Sequence, residues 1–156
     1  MKTLSTLLLS SILLLVSCDR TPETLYKGGY DESSMNEAMR EARDHLSLFQ
    51  AAFDDESAQN LAVKVRIADG DDAEYFWLTD LSPVAGGYEG TLNNEPGIVS
   101  NVQFGQRVSA VGDDLCDWLY MKDKKMYGNY TLRILMQTMS EKERRTYAQL
   151  LAPLSE

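Results

Sequence analysis

Apolar residues recur along residues 35–53 at the spacing of one helical face. Met35, Ala38, Met39, Ala42, Leu46, Phe49 and Phe53 follow the i, i+3, i+4, i+7 rule. Ser34 and Glu37 read as a capping box with Ser34 at the N-cap. Glu37, Arg40, Glu41, Arg43 and Asp44 make the opposite face polar, as solvated helix faces are. The period then drops to two. Leu61, Val63, Val65 and Ile67 alternate with Ala62, Lys64 and Arg66, which predicts a half-buried strand. The stretch ADGDDAE that follows carries hairpin-turn chemistry. Residues 74–79, EYFWLT, are apolar on both faces and predict a central strand.

A further strand is expected over Tyr88–Leu92, and residues 93–105 form a long loop of the kind that is often functional. Arg107–Val111 and Leu115–Met121 read as paired strands joined by a Gly112-Asp113 turn. In the second of these, alternation puts Cys116, Trp118 and Tyr120 on one face and Leu115, Asp117, Leu119 and Met121 on the other. The helical period returns at the end. Gly128 supplies a positive-φ turn, Asn129 or Thr131 can cap, and Leu132, Leu135, Met136 and Met139 form a stripe. Ser140 and Glu143 make a second capping box before Tyr147, Leu150 and Leu151, and Pro153 stops that helix. The order implies an α+β domain. Its antiparallel sheet of four to five strands is flanked by one N-terminal helix and one or two C-terminal helices.

The first residues follow a different logic. Lys2 precedes an apolar run, Leu7–Val16, broken only by Ser10 and Ser11. A permanent membrane helix needs about 20 apolar residues, so this run reads as a signal peptide. It ends Leu15-Val16-Ser17-Cys18, which resembles the lipobox of bacterial lipoproteins. That resemblance implies cleavage before Cys18, a diacylglyceryl group on its sulfur and an acyl group on the new amine. Two or more chains give stable anchoring at about 0.8 kcal/mol per buried CH₂. Asp19 resembles the signal that retains lipoproteins on the inner membrane of enteric-type bacteria. The expected layout is a signal peptide over 1–17, a lipidated tether over 18–33 and one domain over 34–156. A flexible tether of that length spans roughly 20 Å.

Composition narrows the partners. The chain has 156 residues, of which 44% are hydrophobic and 25% charged, with a formal net charge of -9. Such a balance suits one globular domain and disfavours phosphate backbones, so no nucleic-acid partner is expected. Loss of Lys2 with the leader makes the mature chain one unit more acidic.

Candidate chemistry is sparse. Of the two cysteines, Cys18 is assigned to lipid, and Cys116 alone cannot close an internal disulfide. On a strand face with Trp118 and Tyr120, Cys116 reads as core packing rather than a reactive thiol. His45 is the single histidine and has no companion ligand at i+4, so no metal site is expected. Asp69, Asp71, Asp72 and Glu74 cluster, but the glycine position does not match a calcium loop. No G-x-S-x-G elbow, phosphate loop or dinucleotide fingerprint occurs, and no cofactor is implied.

One constellation stands apart: Asp117, Trp118, Asn129, Tyr130 and Thr131. A carboxylate on a packed face needs a partner, and the backbone or hydroxyls of "GNYT" can provide one at a helix start. Asp117 then either pins the strand-to-helix connection or rims a binding cleft with Asn129 and Tyr130.

Trp77, the segment GYEGTLNNEP, the Asp117-Trp118 pair with Tyr120, and GNYTLR at 128–133 together resemble the YegJ-like bacterial family, a domain of unknown function numbered 2314. The resemblance covers about residues 34–140, and the D-W-x-Y…G-N-Y-T spacing is its most specific part. It implies a single compact domain and adds no catalytic residue. With it, the candidate cleft comprises Trp77, Asp117, Trp118, Asn129, Tyr130 and Thr131. Three functions are expected in order: a non-enzymatic module binding an envelope protein or small ligand beside the membrane; an inhibitor or immunity-type protein binding a basic partner; and a hydrolase-like enzyme using Asp117 and Asn129.

Overall fold

A computed structural model describes residues 29–154. The leader, Cys18, Asp19 and the tether through residue 28 lie outside the described residues. Within them, an α+β architecture is built from a six-stranded antiparallel sheet and four α-helices. None of these helices is long and apolar enough to cross a membrane.

The N-terminal helical stripe is divided in two. Helix α1 spans Glu32–Asp44 and α2 spans Leu46–Phe53. The break falls at His45, whose backbone (φ -99, ψ 15) leaves helical geometry. The apolar spacing continues across it, so periodicity alone could not reveal the break. The N-cap also moves. Asp31 caps α1 by accepting from the Ser34 amide at 2.7 Å, so Ser34 lies inside the helix. The expected tether therefore ends in helix rather than at residue 33. Met35, Ala38, Ala42, Phe49 and Ala52 face the sheet and are buried.

Six strands follow where four to five were expected. They are β1 (Gln59–Asp69), β2 (Asp72–Val84), β3 (Gly87–Leu92), β4 (Arg107–Val111), β5 (Leu115–Lys122) and β6 (Lys125–Gly128). Their order across the sheet is β4-β3-β2-β1-β5-β6. The sixth strand was hidden because its four residues, KMYG, are too few to show a period.

The expected pairing of Arg107–Val111 with Leu115–Met121 does not occur. Strand β4 pairs with β3, and β5 pairs with β1 and β6. The Gly112–Asp114 segment is a short 3-10 turn that rounds a corner rather than closing a hairpin. Gly112 takes φ 54 there, a conformation that favours glycine. The sheet curls enough for β4 to touch β1, so a three-residue turn reaches from the outer strand to β5.

The faces of β5 also differ from simple alternation. Lys64 pairs with Asp117 but Val65 pairs with Leu115, which leaves Cys116 as an extra, bulged residue. Leu115 is thereby moved onto the face of Trp118, and both are buried in the core with Val63, Val65, Phe76 and Phe49.

At the C-terminus, α3 (Tyr130–Leu135) passes into a 3-10 turn (Met136–Thr138), and α4 spans Glu141–Leu150. The Ser140–Glu143 capping box is formed in both directions. The helix ends before Pro153. Residue Leu151 then makes a parallel bridge to Met126 on β6.

The acidic cluster of the β1–β2 turn has a structural task. Buried Glu74 accepts from the amides of Gly97 (3.1 Å), Ile98 (2.9 Å) and Val99 (3.3 Å). Asp69 accepts from the amide and hydroxyl of Ser100, each at 2.8 Å, and those bonds hold its carboxyl below the usual value. The long loop is thus fastened at its middle. Glu74→Ala is expected to cost about 1–3 kcal/mol, because partly buried amides and the buried one of Val99 lose their acceptor. Amide hydrogen exchange at Ile98 and Val99 should accelerate at least about tenfold; unchanged exchange would mean the loop is held by other contacts.

Candidate functional site

Gly128 ends β6 opposite Leu119, and the chain then turns beside the first half of β5, which β6 does not cover. Asn129 adopts a left-handed conformation (φ 51, ψ 54), and its amide donates to the Trp118 carbonyl at 2.8 Å. Asn129 occupies the N-cap position of α3 without a capping side-chain bond. Its amide nitrogen lies 3.2 Å from Met126 Sδ instead.

The cap comes from the neighbouring strand. Asp117 is fully buried, and its Oδ1 accepts from the amides of Trp118 (2.8 Å) and Tyr130 (3.1 Å). Its Oδ2 accepts from the amide of Thr131 (2.8 Å) and from the Thr131 hydroxyl (2.6 Å). Burial raises the Asp117 pKa, and Lys64, the Thr131 bonds and the Trp118 amide oppose that rise. The carboxylate thus closes a side-chain clasp over the strand-to-helix junction.

One member of this group, Lys64, carries no signal in the sequence. Lys64 stands between Trp77 on β2 and Asp117 on β5 in a single cross-strand row. Its ammonium lies 4.7 Å from the Trp77 ring centroid and donates to Thr131 Oγ1 at 3.0 Å. An alternating polar position on a strand gave no sign of this role; only the register does. Trp77 therefore touches the clasp through Lys64 and belongs to the opposite face from Trp118. Its own backbone is braced by the GYEGTLNNEP segment. The Trp77 amide donates to Asn94 Oδ1, and its carbonyl accepts from the Asn93 amide, both at 2.9 Å.

On the other face, the Trp118 indole N–H donates to the Ala42 carbonyl at 2.7 Å, tying β5 to α1 just before the helix break. Trp118 meets Tyr130 edge-on at 5.5 Å and stacks on Tyr120 at 6.1 Å. Tyr120 and Tyr127 stack in parallel at 4.9 Å. These four rings line a cleft of about 300 Å³ between α2, β5, β6 and the C-terminal tail. Lys122 and Asp55, paired at 2.6 Å, also line it. Burial lifts the Tyr120 and Tyr130 phenols above their ordinary value.

Of the residues nominated from sequence, the structure brings Trp118 and Tyr130 to this cleft. Asp117, Asn129 and Thr131 stand behind it as its support, and Trp77 lies across the sheet. Tyr120 and Tyr127 are its main additions. Tyr120 was visible as part of the D-W-x-Y pattern, but its partner Tyr127 sits on the short strand that sequence periodicity did not reveal.

His45 and Cys116 are both engaged in structure. His45 Nδ1 lies 3.0 Å from the Glu41 carbonyl, and its ring stacks on Tyr130 at 5.9 Å. Cys116 is buried, and desolvation pushes its thiol up to about 11. In a Cys18→Ser chain, alkylation of Cys116 at pH 8 should be at least about tenfold slower in the folded protein than in urea. Equal rates would show an accessible thiolate.

The curled antiparallel sheet, with its third helix clasped by a strand carboxylate, defines a small α+β domain with an aromatic cleft at one end of the sheet. Over residues 32–152 the chain matches the family model described as "Uncharacterized protein conserved in bacteria (DUF2314)", and it belongs to that family. It is similar to the uncharacterized protein YegJ of Escherichia coli (strain K12), with 36% identity over 139 residues, covering 88% of this chain and 91% of that protein. It is also similar to a putative ankyrin repeat protein of Neisseria meningitidis serogroup B, with 36% identity over 76 residues, covering 49% of this chain and 30% of that protein. No solved structure matches the chain.

Proposed function

We propose that this family member is an envelope lipoprotein whose folded part is a non-enzymatic binding module, with the aromatic cleft as its recognition surface. The run Leu7–Val16 ending at Cys18 supports lipidation at Cys18 and a position beside a bacterial membrane, facing the periplasm. Asp19 favours the inner membrane.

The observation that carries the binding role is the cleft itself. Half-buried Tyr120 and Tyr127 present large, rigid, amphipathic surfaces at low conformational cost over a floor of buried Trp118 and Tyr130, and such residues dominate recognition surfaces. An enzymatic role for Asp117 is disfavoured, because both of its oxygens already accept from amides or a hydroxyl. Asn129 likewise points its amide at Met126.

Two readouts on membranes test the proposal. Mass spectrometry of the mature chain should find a triacylated Cys18, and Cys18→Ser should release the protein from the membrane fraction. Photo-crosslinking in intact envelopes should yield an adduct that Tyr127→Ala reduces at least about tenfold. An unmodified terminus, or adducts indifferent to Tyr127, would overturn it.

A further inference from the structure

The β6 edge beside the cleft is already paired by a segment of the same chain. After α4, Leu151 bridges Met126 in parallel register, and the Ala152 amide donates to the Met126 carbonyl at 2.8 Å. Arg133 Nη2 donates to the Ala152 carbonyl at 2.8 Å. Pro153 and Leu154, both exposed, then form part of the cleft wall that Tyr120, Tyr127 and Trp118 complete. This is how an extended peptide adds to an exposed sheet edge: main-chain bonds set the register, and alternate side chains fill pockets.

The tail is held at few points. None of the residues of α4, which leads into it, is buried. Beyond the bonds above, Lys125 Nζ donates to the Gln149 carbonyl at 2.6 Å, and Leu151 and Ala152 are buried. Arg133 Nε is buried with no hydrogen-bond partner among the described residues, so the clasp around the tail is incompletely satisfied. Desolvation lowers the Arg133 pKa, which adds to the cost of keeping that guanidinium covered.

We propose that residues 151–154, Leu-Ala-Pro-Leu, act as a self-ligand for a groove whose external partner is an extended peptide segment of the same type: an apolar residue, a small residue, proline and a second apolar residue. The inference rests on the binding role given above and names the partner's chemistry. When the tail lifts, the Met126 carbonyl, Arg133 and the Tyr120–Tyr127 pair receive the partner strand parallel to β6. A tethered tail competes at an effective concentration in about the millimolar range, so the closed protein binds such a segment weakly.

The test uses a fluorescent synthetic peptide, Ala-Gln-Leu-Leu-Ala-Pro-Leu, copied from residues 148–154. Fluorescence anisotropy would compare its binding to the full chain in detergent, to the chain ending at Leu150, and to the full chain carrying Pro153→Asp with Leu154→Asp. Both altered chains should bind at least about tenfold more tightly than the full chain, and adding Tyr127→Ala should abolish that gain. If the shortened chain does not fold, the doubly substituted full-length chain decides. Equal affinity of closed and opened chains, no binding by a folded opened chain, or binding that ignores Tyr127 would each overturn the proposal. The readouts separate the two readings. An unlipidated terminus would sink the envelope role and leave peptide binding untouched. A Tyr127-dependent envelope adduct from a protein whose opened form refuses the peptide would sink the self-ligand alone.

Discussion

Asp117→Ala is expected to lower stability by about 3–5 kcal/mol, read as a fall in the urea midpoint with an unchanged slope. The substitution deletes one carboxylate and strands four donors: the amides of Trp118, Tyr130 and Thr131, and the Thr131 hydroxyl. All three residues that carry them are buried, so water cannot easily replace the lost acceptor. Lys64 also loses the charge that compensates its half-buried ammonium. Small proteins hold about 5–15 kcal/mol in total, so much of the margin disappears. Asp117→Asn should be milder but still destabilising, because its NH₂ group would face donors that need an acceptor. A midpoint unchanged in Asp117→Ala would mean that the clasp does not hold the strand-to-helix junction.

Gly128→Ala is expected to be comparably damaging. Gly128 has φ 73, a conformation that alanine adopts only with strain. An added Cβ would also fall inside contact distance of the Trp118 carbonyl oxygen and of the Trp118 ring. That oxygen accepts the Asn129 amide, and that ring is held by the indole bond to Ala42. Neither neighbour can move without breaking a hydrogen bond. Strain and overpacking together suggest about 3–5 kcal/mol. Thermal unfolding of the substituted chain should show a large drop, and near-wild-type melting would show that the β6–α3 corner is loosely packed.

The two substitutions explain why D-W-x-Y and G-N-Y-T read as one signature. Asp117 caps α3, Gly128 lies flat on Trp118, and Tyr130 meets Trp118 edge-on. The spacing reflects one corner of the fold rather than a set of reacting groups. Removing residues that build the corner and residues that line the cleft should therefore have separable effects.

The α+β class was legible because helical and strand periods occupy long, separate stretches. The capping box at Ser140 and the hairpin at Gly70 follow from local chemistry, and both form as expected. Local rules failed where tertiary contacts decide. The division of α1 from α2 breaks no pattern, because the same stripe packs on both sides of His45. Strand β4 pairs across the sheet with β3, since a curled sheet lets a three-residue turn reach β5. The bulge at Cys116 shifts Leu115 between faces, which strict alternation cannot represent.

The site divides in the same way. Asp117 was readable as a residue needing a partner, and its spacing to Tyr130 and Thr131 suggested which groups could serve. Lys64 was not, since only the β1 register sets it between Trp77 and Asp117. Tyr127 and the tail residues Pro153 and Leu154 come to line the cleft through a strand and a bridge too short to leave a period. The acidic turn's task of fastening residues 97–100 was not readable, since it depends on contacts 24 and 31 positions apart in the chain.

The most direct test is envelope photo-crosslinking with Asp117→Asn beside Tyr127→Ala, each measured where the protein is folded. The corner-and-cleft account predicts that Asp117→Asn, though less stable, forms the same adduct as the unaltered chain, while Tyr127→Ala loses it at least about tenfold. The reverse pattern, with the adduct lost in a folded Asp117→Asn protein and retained in Tyr127→Ala, would contradict it.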